Sequence, residues 1–160
     1  MNPQKRTKVA VVFLCVTVLG ILGVVATVRI AISGYRQGLT EARLRQIAVV
    51  VAETERISGS RMRDVGVLLS EQRLSPEDFT DARTAYEPKD ELAVGAYRVG
   101  DFIFPPPAWS QQPARAAVLC WTDEIDGFRI MALRDGRTRS LKPTDWESLL
   151  DAGIVQGGQE

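Results

Sequence analysis

The sequence predicts an α+β protein: an N-terminal transmembrane helix, a helical extension, and a small antiparallel β-meander that ends in a short helix. Three observations predict this class. Residues 9–28 form an uncharged apolar run, apolar residues at helical spacing follow it, and short alternating segments separated by Asp-Gly pairs fill residues 116–141. The expected layout is a basic cytoplasmic tail (1–8), a transmembrane helix (9–31), an amphipathic helical stalk (32–64), a small α+β soluble domain (65–152) and a flexible tail (153–160).

The run from Val9 to Val28 has the length of a membrane span. A helix that rises about 1.5 Å per residue would cover roughly 30 Å here, which is the thickness of the hydrocarbon core. The apolar region of a cleaved signal peptide is shorter, about 7–15 residues, and ends at a small-residue cleavage site. This run instead continues into Arg29-Ile30-Ala31-Ile32. We therefore expect an uncleaved anchor that contacts the lipid bilayer through residues 9–28.

The orientation of the anchor depends on the short tail. Basic residues lie on both sides of the run and nearly balance, so the positive-inside rule decides little: Lys5, Arg6 and Lys8 before it, and Arg29, Arg36 and Arg43 after it. A short tail before a long apolar run is typical of a signal anchor. The expected location is the bacterial inner membrane, with a single pass and a periplasmic C-terminal domain.

An amphipathic helix follows the span. The pairs Ser33-Gly34 and Gln37-Gly38 are expected to loosen the chain, and Thr40 then begins a new helical run. Its apolar residues recur at helical spacing, opposite Glu41, Arg45, Glu53 and Arg56: Leu44, Ile47, Ala48, Val51 and Ala52. This face either packs on the sheet of the same chain or forms a homo- or hetero-oligomer through the helices.

A second helix is indicated by Ser75-Pro76-Glu77-Asp78. Serine is a good N-cap, proline suits the first helical position, and acids suit the first turn. The helix is expected to run to about Tyr86 and to stop before Pro88. Its charged residues Asp78, Asp81 and Arg83 are expected on a solvated face.

The remaining chain has the spacing of a β-meander. Residues 92–104 predict one or two strands, and the prolines 105–107 and a polar loop over 108–115 follow. Strands are expected over 116–122, 128–133 and 137–141, with a type I′ turn at Asp135-Gly136.

A short helix is expected after this meander. Thr144 and Glu147 have the spacing of a capping box, which would begin the helix. Its apolar residues are expected to cover the sheet: Trp146, Leu149 and Leu150.

Composition disfavours an enzyme. The chain has no histidine, which excludes Ser-His-Asp and Cys-His nucleophile pairs and most zinc sites. Cys15 lies in the apolar run and Cys120 in a strand segment, so we expect neither a disulfide nor a reactive thiol. Asp123, Glu124 and Asp126 are better explained as solvated turn acids than as Ca²⁺ ligands. The sequence therefore nominates no catalytic, cofactor-binding or metal residue, and no cofactor.

Charge is balanced overall but unevenly distributed. Residues 29–64 carry seven arginines against four acids, whereas residues 65–160 carry sixteen acids against ten bases. A basic segment next to the span suits anionic lipid headgroups, and an acidic distal half argues against nucleic acid as a partner.

Part of the sequence resembles a known family. The segments Asp101–Pro106, Met131–Thr138 and Leu141–Leu150 resemble the C-terminal strand, Asp-Gly turn, strand and Trp-bearing helix of bacterial pseudopilin-like proteins, particularly the prepilin-type proteins of planctomycetes. The resemblance spans about residues 97–150. The family's Gly before the cleavage point and Glu shortly after it have no counterpart, because Lys8 precedes Val9 and no acid occurs before Glu41.

The resemblance implies a structural or interaction role in a secretion or pilus-type assembly, without catalysis. The alternative is a membrane-anchored module that binds a ligand or a protein through the sheet face or the 105–115 loop. An exposed aromatic patch around Trp109 and Trp121 would favour that alternative.

Overall fold

The structure, a computed structural model, describes residues 3–83, 92, 94–111 and 115–152. Contacts divide the chain into two compact units, Met1–Arg36 and Gln37–Glu160. The described part of the first unit is helical throughout, and the second unit contains an antiparallel sheet with further helices. The α+β class is confirmed.

A single helix, α1, runs over Pro3–Ser58 and is 56 residues long. It continues through Ser33-Gly34 and Gln37-Gly38, so the prediction that these pairs loosen the helix was wrong. A Cβ added at Gly34 or Gly38 would contact nothing within 4 Å, which shows that no close packing requires these glycines. From Gln37 onward, the predicted 32–64 stalk belongs to the same unit as the sheet.

The second half of α1 supplies one wall of the hydrophobic core. Leu44, Ile47, Ala48 and Val51 are at most 1% exposed and pack with residues of the sheet. Of the two alternatives for this amphipathic face, packing on the chain's own sheet is therefore the one observed. Ala52, expected on the same face, is exposed.

Two short turns of helix follow α1. The first, α2 over Val67–Ser70, places Leu68 in the core. The second is a 3-10 turn over Pro76–Phe79, and it begins as predicted, with Ser75 before it and Pro76 in its first position. The helix predicted to reach Tyr86 ends instead at Phe79. The predicted end near Tyr86 and Pro88 lies outside the described residues.

The 3-10 turn ends because its last carbonyl has another partner. The N–H of Asp101 donates to the carbonyl oxygen of Phe79 at 2.8 Å, so that oxygen is not available to a continuing helix. The N–H of Arg83, which a longer helix would direct to Phe79, donates to Asp81 Oδ1 at 2.9 Å. Thr80 is extended, with φ −102° and ψ 137°.

The sheet is a five-strand antiparallel meander in which each strand pairs with the next along the chain. The predicted three-strand meander is present, and two strands extend it at the N-terminal side. The strands are β1 (Tyr97–Val99), β2 (Phe102–Phe104), β3 (Val118–Thr122), β4 (Arg129–Leu133) and β5 (Thr138–Leu141).

The turns of the meander correct one prediction. Asp135-Gly136 forms a hairpin turn, but only Gly136 has a positive φ, of +85°. The N–H of Leu133 donates to Arg137 O and the N–H of Gly136 donates to Leu133 O, which is a three-residue loop closed by a left-handed glycine. The predicted type I′ conformation occurs instead at Asp126-Gly127, where φ is +54° and +77°.

The opposite face of the sheet is covered by α3, over Pro143–Ala152. Trp146 and Leu149 lie in a second core cluster with Ile103, Trp121 and Met131, as predicted for the first two. Thr144 lies inside the first turn rather than at its N-cap, because the helix begins at Pro143, so the capping-box prediction was wrong. The tail predicted to be flexible, 153–160, lies outside the described residues.

Candidate binding groove

A cavity of about 870 Å³ opens at the end of the sheet where α1 finishes. Four parts of the second unit surround it: the segment 60–65 after α1, the start of β1, the stretch from Phe104 to Gln111, and the residues that flank β3 and the β4–β5 turn. We call this cavity the groove. Its size is within the range of about 300–1,000 Å³ that is usual for ligand sites.

Aromatic and proline side chains form the apolar walls of the groove. Phe104 ends β2, and three consecutive prolines, 105–107, lead from it into a 3-10 turn over Pro107–Gln111. Proline cannot donate a ladder hydrogen bond, so the strand stops where they begin. The ring of Tyr97 stacks on Phe104, with centroids 5.4 Å apart.

The 3-10 turn places Trp109 in a cluster of three indoles, of which Trp109 and Trp121 are stacked and Trp121 and Trp146 are tilted. Trp109 lies on Trp121 at 5.4 Å between centroids, and Trp121 contacts Trp146 of α3 at 5.0 Å. Trp109 and Trp121 are only 7% and 4% exposed. The exposed aromatic patch that would favour a binding module is therefore not present at these two residues. The predicted polar loop over 108–115 begins as helix, and residues 112–114 lie outside the described residues.

Arginines form the polar part of the groove. Arg61, Arg63, Arg115 and Arg134 line it, and none of the described lining residues is Asp or Glu. The guanidinium of Arg115 lies 5.2 Å from the centroid of the Trp109 ring, a cation–π contact. Arg61 Nη1 donates to the carbonyl oxygen of Ser110 at 3.3 Å, which joins the two sides of the groove.

Arg134 is held at the base of the groove. Its Nη1 donates to Glu55 Oε1 of α1, and its backbone N–H donates to Ala117 O at 2.9 Å. The same Glu55 oxygen accepts the N–H of Met62 at 2.9 Å. One carboxylate therefore holds both the segment that follows α1 and the β4–β5 turn. Nε of Arg134 is buried, and within the described parts of the chain no group accepts its hydrogen bond.

Tyr97 holds the segment that carries Arg61 and Arg63. Its hydroxyl accepts the N–H of Val65 at 3.1 Å and donates to Arg63 O at 3.3 Å. Burial raises the pKa of the Tyr97 phenol above its usual value, against the smaller lowering effect of the Val65 hydrogen bond. The phenol is therefore neutral at physiological pH and acts as a positioning group.

The opposite end of the sheet contains a buried ion pair that the sequence did not indicate. Asp81, predicted to be solvated, is 3% exposed and forms a salt bridge with Arg83 at 2.7 Å. Arg83 also donates to Thr122 Oγ1 at 2.6 Å, and Asp81 Oδ1 accepts the hydroxyl of Thr40 at 2.8 Å. This cluster joins the segment after the 3-10 turn to both α1 and β3, which is a structural task.

Two of the three acids considered for Ca²⁺ pair with arginine, and the third, Asp126, is exposed. Asp123, predicted to be solvated, is 8% exposed and accepts from Arg98 at 2.7 Å, while Glu124 lies 3.8 Å from Arg129. Among the described residues, no group of three His, Cys, Asp or Glu side chains is placed to hold a metal ion. Cys120 is fully buried, and burial raises the pKa of its thiol far above the usual range, as expected for a core residue.

The apolar part of α1 is a second candidate functional surface. Large apolar side chains are exposed there, including Phe13 at 75%, Leu19 at 68% and Ile30 at 74%. By length and composition this is, among the described residues, the one helix able to cross a membrane, and its most apolar stretch has no buried residue. The helix is thus compatible with a single-pass membrane anchor and suggests association with lipid.

The comparisons with known proteins identified no relative of this chain. No family model, no curated protein and no solved structure matches the chain. Two surfaces of the molecule therefore carry the information about its function: the apolar part of α1 and the arginine-lined groove.

Proposed function

We propose that the protein is a single-pass membrane protein with a structural or interaction role, which presents its sheet domain on the periplasmic side of a bacterial inner membrane. One observation carries this proposal: the same helix has an exposed apolar segment and a buried one. Residues from Phe13 to Ile32 expose their apolar side chains, whereas Leu44, Ile47, Ala48 and Val51 are part of the core of the sheet domain. A helix built in this way suits attachment of a folded domain to lipid.

The fold supports a pseudopilin-like role in a secretion or pilus-type assembly. The resemblance over residues 97–150 includes β2 and the β4–β5 hairpin, which belong to one sheet packed on a long helix, and α3, which covers the other face of that sheet. No catalytic residue is part of the proposal. The absence of an acid before Glu41 in the sequence leads us to propose an uncleaved subunit or relative of such an assembly.

The experiment combines intact mass with protease accessibility. Protein extracted from bacterial membranes would be weighed by mass spectrometry, and the sheet domain would be probed by protease added to spheroplasts. We expect the full-length mass and digestion of the domain from outside. A mass that lacks the basic tail would show processing and would contradict the uncleaved anchor. Protection of the domain would contradict the periplasmic orientation and, with it, the secretion role.

A second candidate function is a membrane-anchored binding module. The groove favours it, because four arginines and an aromatic wall line it, and its described lining residues include no acid. Convergent charged groups in a concave site are typical of ligand recognition. This candidate differs from the first in its prediction, since it requires a ligand for the groove rather than an assembly.

A further inference from the structure

We propose that the groove binds an acidic, extended peptide segment of a partner protein. Carboxylates of the peptide would pair with Arg61, Arg63 and Arg115, and its apolar side chains would contact the wall formed by Tyr97 and the prolines 105–107. The proposal deepens the second candidate function, because it names the chemical class of the ligand that the groove takes.

The charge of the groove is the first argument. Arg61, Arg63 and Arg115 line it, and none of the three forms an ion pair with a carboxylate in the described parts of the chain. The unit that contains the groove, residues 37–160, carries twenty acids against fifteen bases, so a positive groove is a local departure from the charge of this unit. Unpaired cations in a concave site raise the local concentration of anionic ligands and speed their association.

The choice of arginine is the second argument. A guanidinium presents its donors in a planar fork that matches both oxygens of a carboxylate. Arg115 is already oriented by the Trp109 ring, and Arg61 by Ser110 O, so each loses less side-chain freedom on binding. The sites for carboxylates are therefore partly preorganised on two sides of the groove.

The shape of the groove selects a peptide over the other anions. About 870 Å³ is far more than one phosphate or carboxylate group fills, and both arginine and apolar side chains line the groove. A membrane surface is flat, and anionic headgroups are met by exposed basic clusters rather than by a concave aromatic cavity. An extended chain presents carboxylate and apolar side chains in alternation and fits both kinds of wall.

The test is fluorescence anisotropy with the full chain in nanodiscs of zwitterionic phosphatidylcholine. The probe is a fluorescein-labelled peptide of alternating glutamate and leucine, and a glutamine-leucine peptide of equal length is its uncharged control. The groove variant carries Arg61→Gln and Arg63→Gln. The control variant carries Arg56→Gln and Arg137→Gln, which removes two charges from exposed residues that do not line the groove.

We expect the glutamate peptide to bind and the glutamine peptide to bind far more weakly. The groove variant should weaken binding by about tenfold or more, since about 1.4 kcal/mol corresponds to tenfold and each charged hydrogen bond contributes about that much. The control variant should change the dissociation constant by less than about twofold. Equal loss in both variants would overturn the proposal, because it would show attraction by net charge alone.

Three further outcomes separate this inference from the functions proposed above. Inorganic phosphate that displaces the peptide as effectively as excess unlabelled peptide would keep a binding groove but overturn the peptide as its occupant. Loss of peptide binding in phosphatidylglycerol nanodiscs, with no effect of the groove variant there, would assign the arginines to lipid headgroups. Absence of any anion binding would overturn the binding module and leave the structural role untouched.

Discussion

Gly100 shows how closely single residues are fitted in the sheet domain. It lies in the turn between β1 and β2 with φ +57°, and a Cβ there would lie 2.3 Å from the carbonyl oxygen of Phe79. Gly100→Ala would therefore combine backbone strain with an overlap against main chain. We expect the free energy of unfolding to fall by about 2–4 kcal/mol. Urea denaturation followed by tryptophan fluorescence measures it, because all three tryptophans lie in the sheet domain.

The control for Gly100 is Gly136→Ala. Gly136 also has a positive φ, of +85°, but a Cβ there would meet nothing within 4 Å. The backbone strain alone should cost about 1 kcal/mol. Equal losses at the two glycines would show that the contact with Phe79 does not determine the effect.

The buried pair of Asp81 and Arg83 makes a second prediction at this scale. Their side chains are 1% and 10% exposed, so Asp81→Asn would leave a buried guanidinium without its counter-charge. We expect a loss of about 3–5 kcal/mol in the free energy of unfolding. Asp135→Asn removes a carboxylate from an exposed pair with Arg137 and should cost less than about 1 kcal/mol. A loss at Asp135 as large as that at Asp81 would contradict the structural role of the buried cluster.

Residue-scale features differ in how far the sequence predicts them. Ser75 and Pro76 were predicted correctly because caps and first-turn prolines act through their own backbone. The burial of Asp81 depends on Thr40 and Thr122, which are distant in sequence, so local pattern gave no sign of it. The I′ turn was assigned to the wrong Asp-Gly pair, since loop length, which decides turn type, depends on where the strands pair.

At the scale of elements, α1 combines two environments in one helix. Its amphipathic face was predicted from apolar spacing, because burial on a helix repeats with the helical period. Its continuity was not predicted. Glycine in a helix interior costs about 1 kcal/mol relative to alanine, and at Gly34 and Gly38 the surrounding helix tolerates that cost. Ala52 was wrongly assigned to the buried face, because a residue as small as alanine fits on either side of such a helix.

The contact of α1 with the sheet predicts the effect of truncating its core residues. Ile47 is 0% exposed, and Ile47→Ala would leave a cavity between helix and sheet, with an expected cost of about 2–5 kcal/mol. Val49 is 61% exposed on the same helix, and Val49→Ala should change the stability by less than about 0.5 kcal/mol. Chemical denaturation of both variants measures the difference. Similar costs at the two positions would contradict the packing described for α1.

For the whole molecule, the two units predict that the sheet domain folds alone. A fragment of residues 37–160 retains Leu44 to Val51 and both core clusters. We expect it to be soluble and to unfold cooperatively, with circular dichroism showing both helix and strand. The matched fragment 65–160 lacks α1 and should fail to fold, because one face of the sheet would be uncovered. Cooperative folding of the shorter fragment would contradict the role of α1 in the core.

The groove is formed by separate parts of the second unit, and the sequence predicted only some of them. The 105–115 loop was named, beside the sheet face, as a candidate binding surface, and it does supply Trp109, Ser110 and Arg115. Arg61, Arg63 and Arg134 were not associated with it, because the chain must fold before the end of α1 and the β4–β5 turn come together. Spacing in the sequence predicts which residues are neighbours within one element. It does not predict a site that combines several separate segments.

Glu55 and Arg134, which contact each other in the folded protein, are synthesised at different times. These residues are 79 positions apart, and α1 is made first, whereas each strand of the sheet pairs with the next one to be made. At a synthesis rate of about 5–20 residues per second, about 4–16 s pass between the synthesis of the apolar face of α1 and that of β4. During that time the nascent chain carries an uncovered hydrophobic stripe beside a growing hairpin. The first core cluster, which includes Ile130 and Ala132 of β4, therefore cannot be complete until β4 has been made.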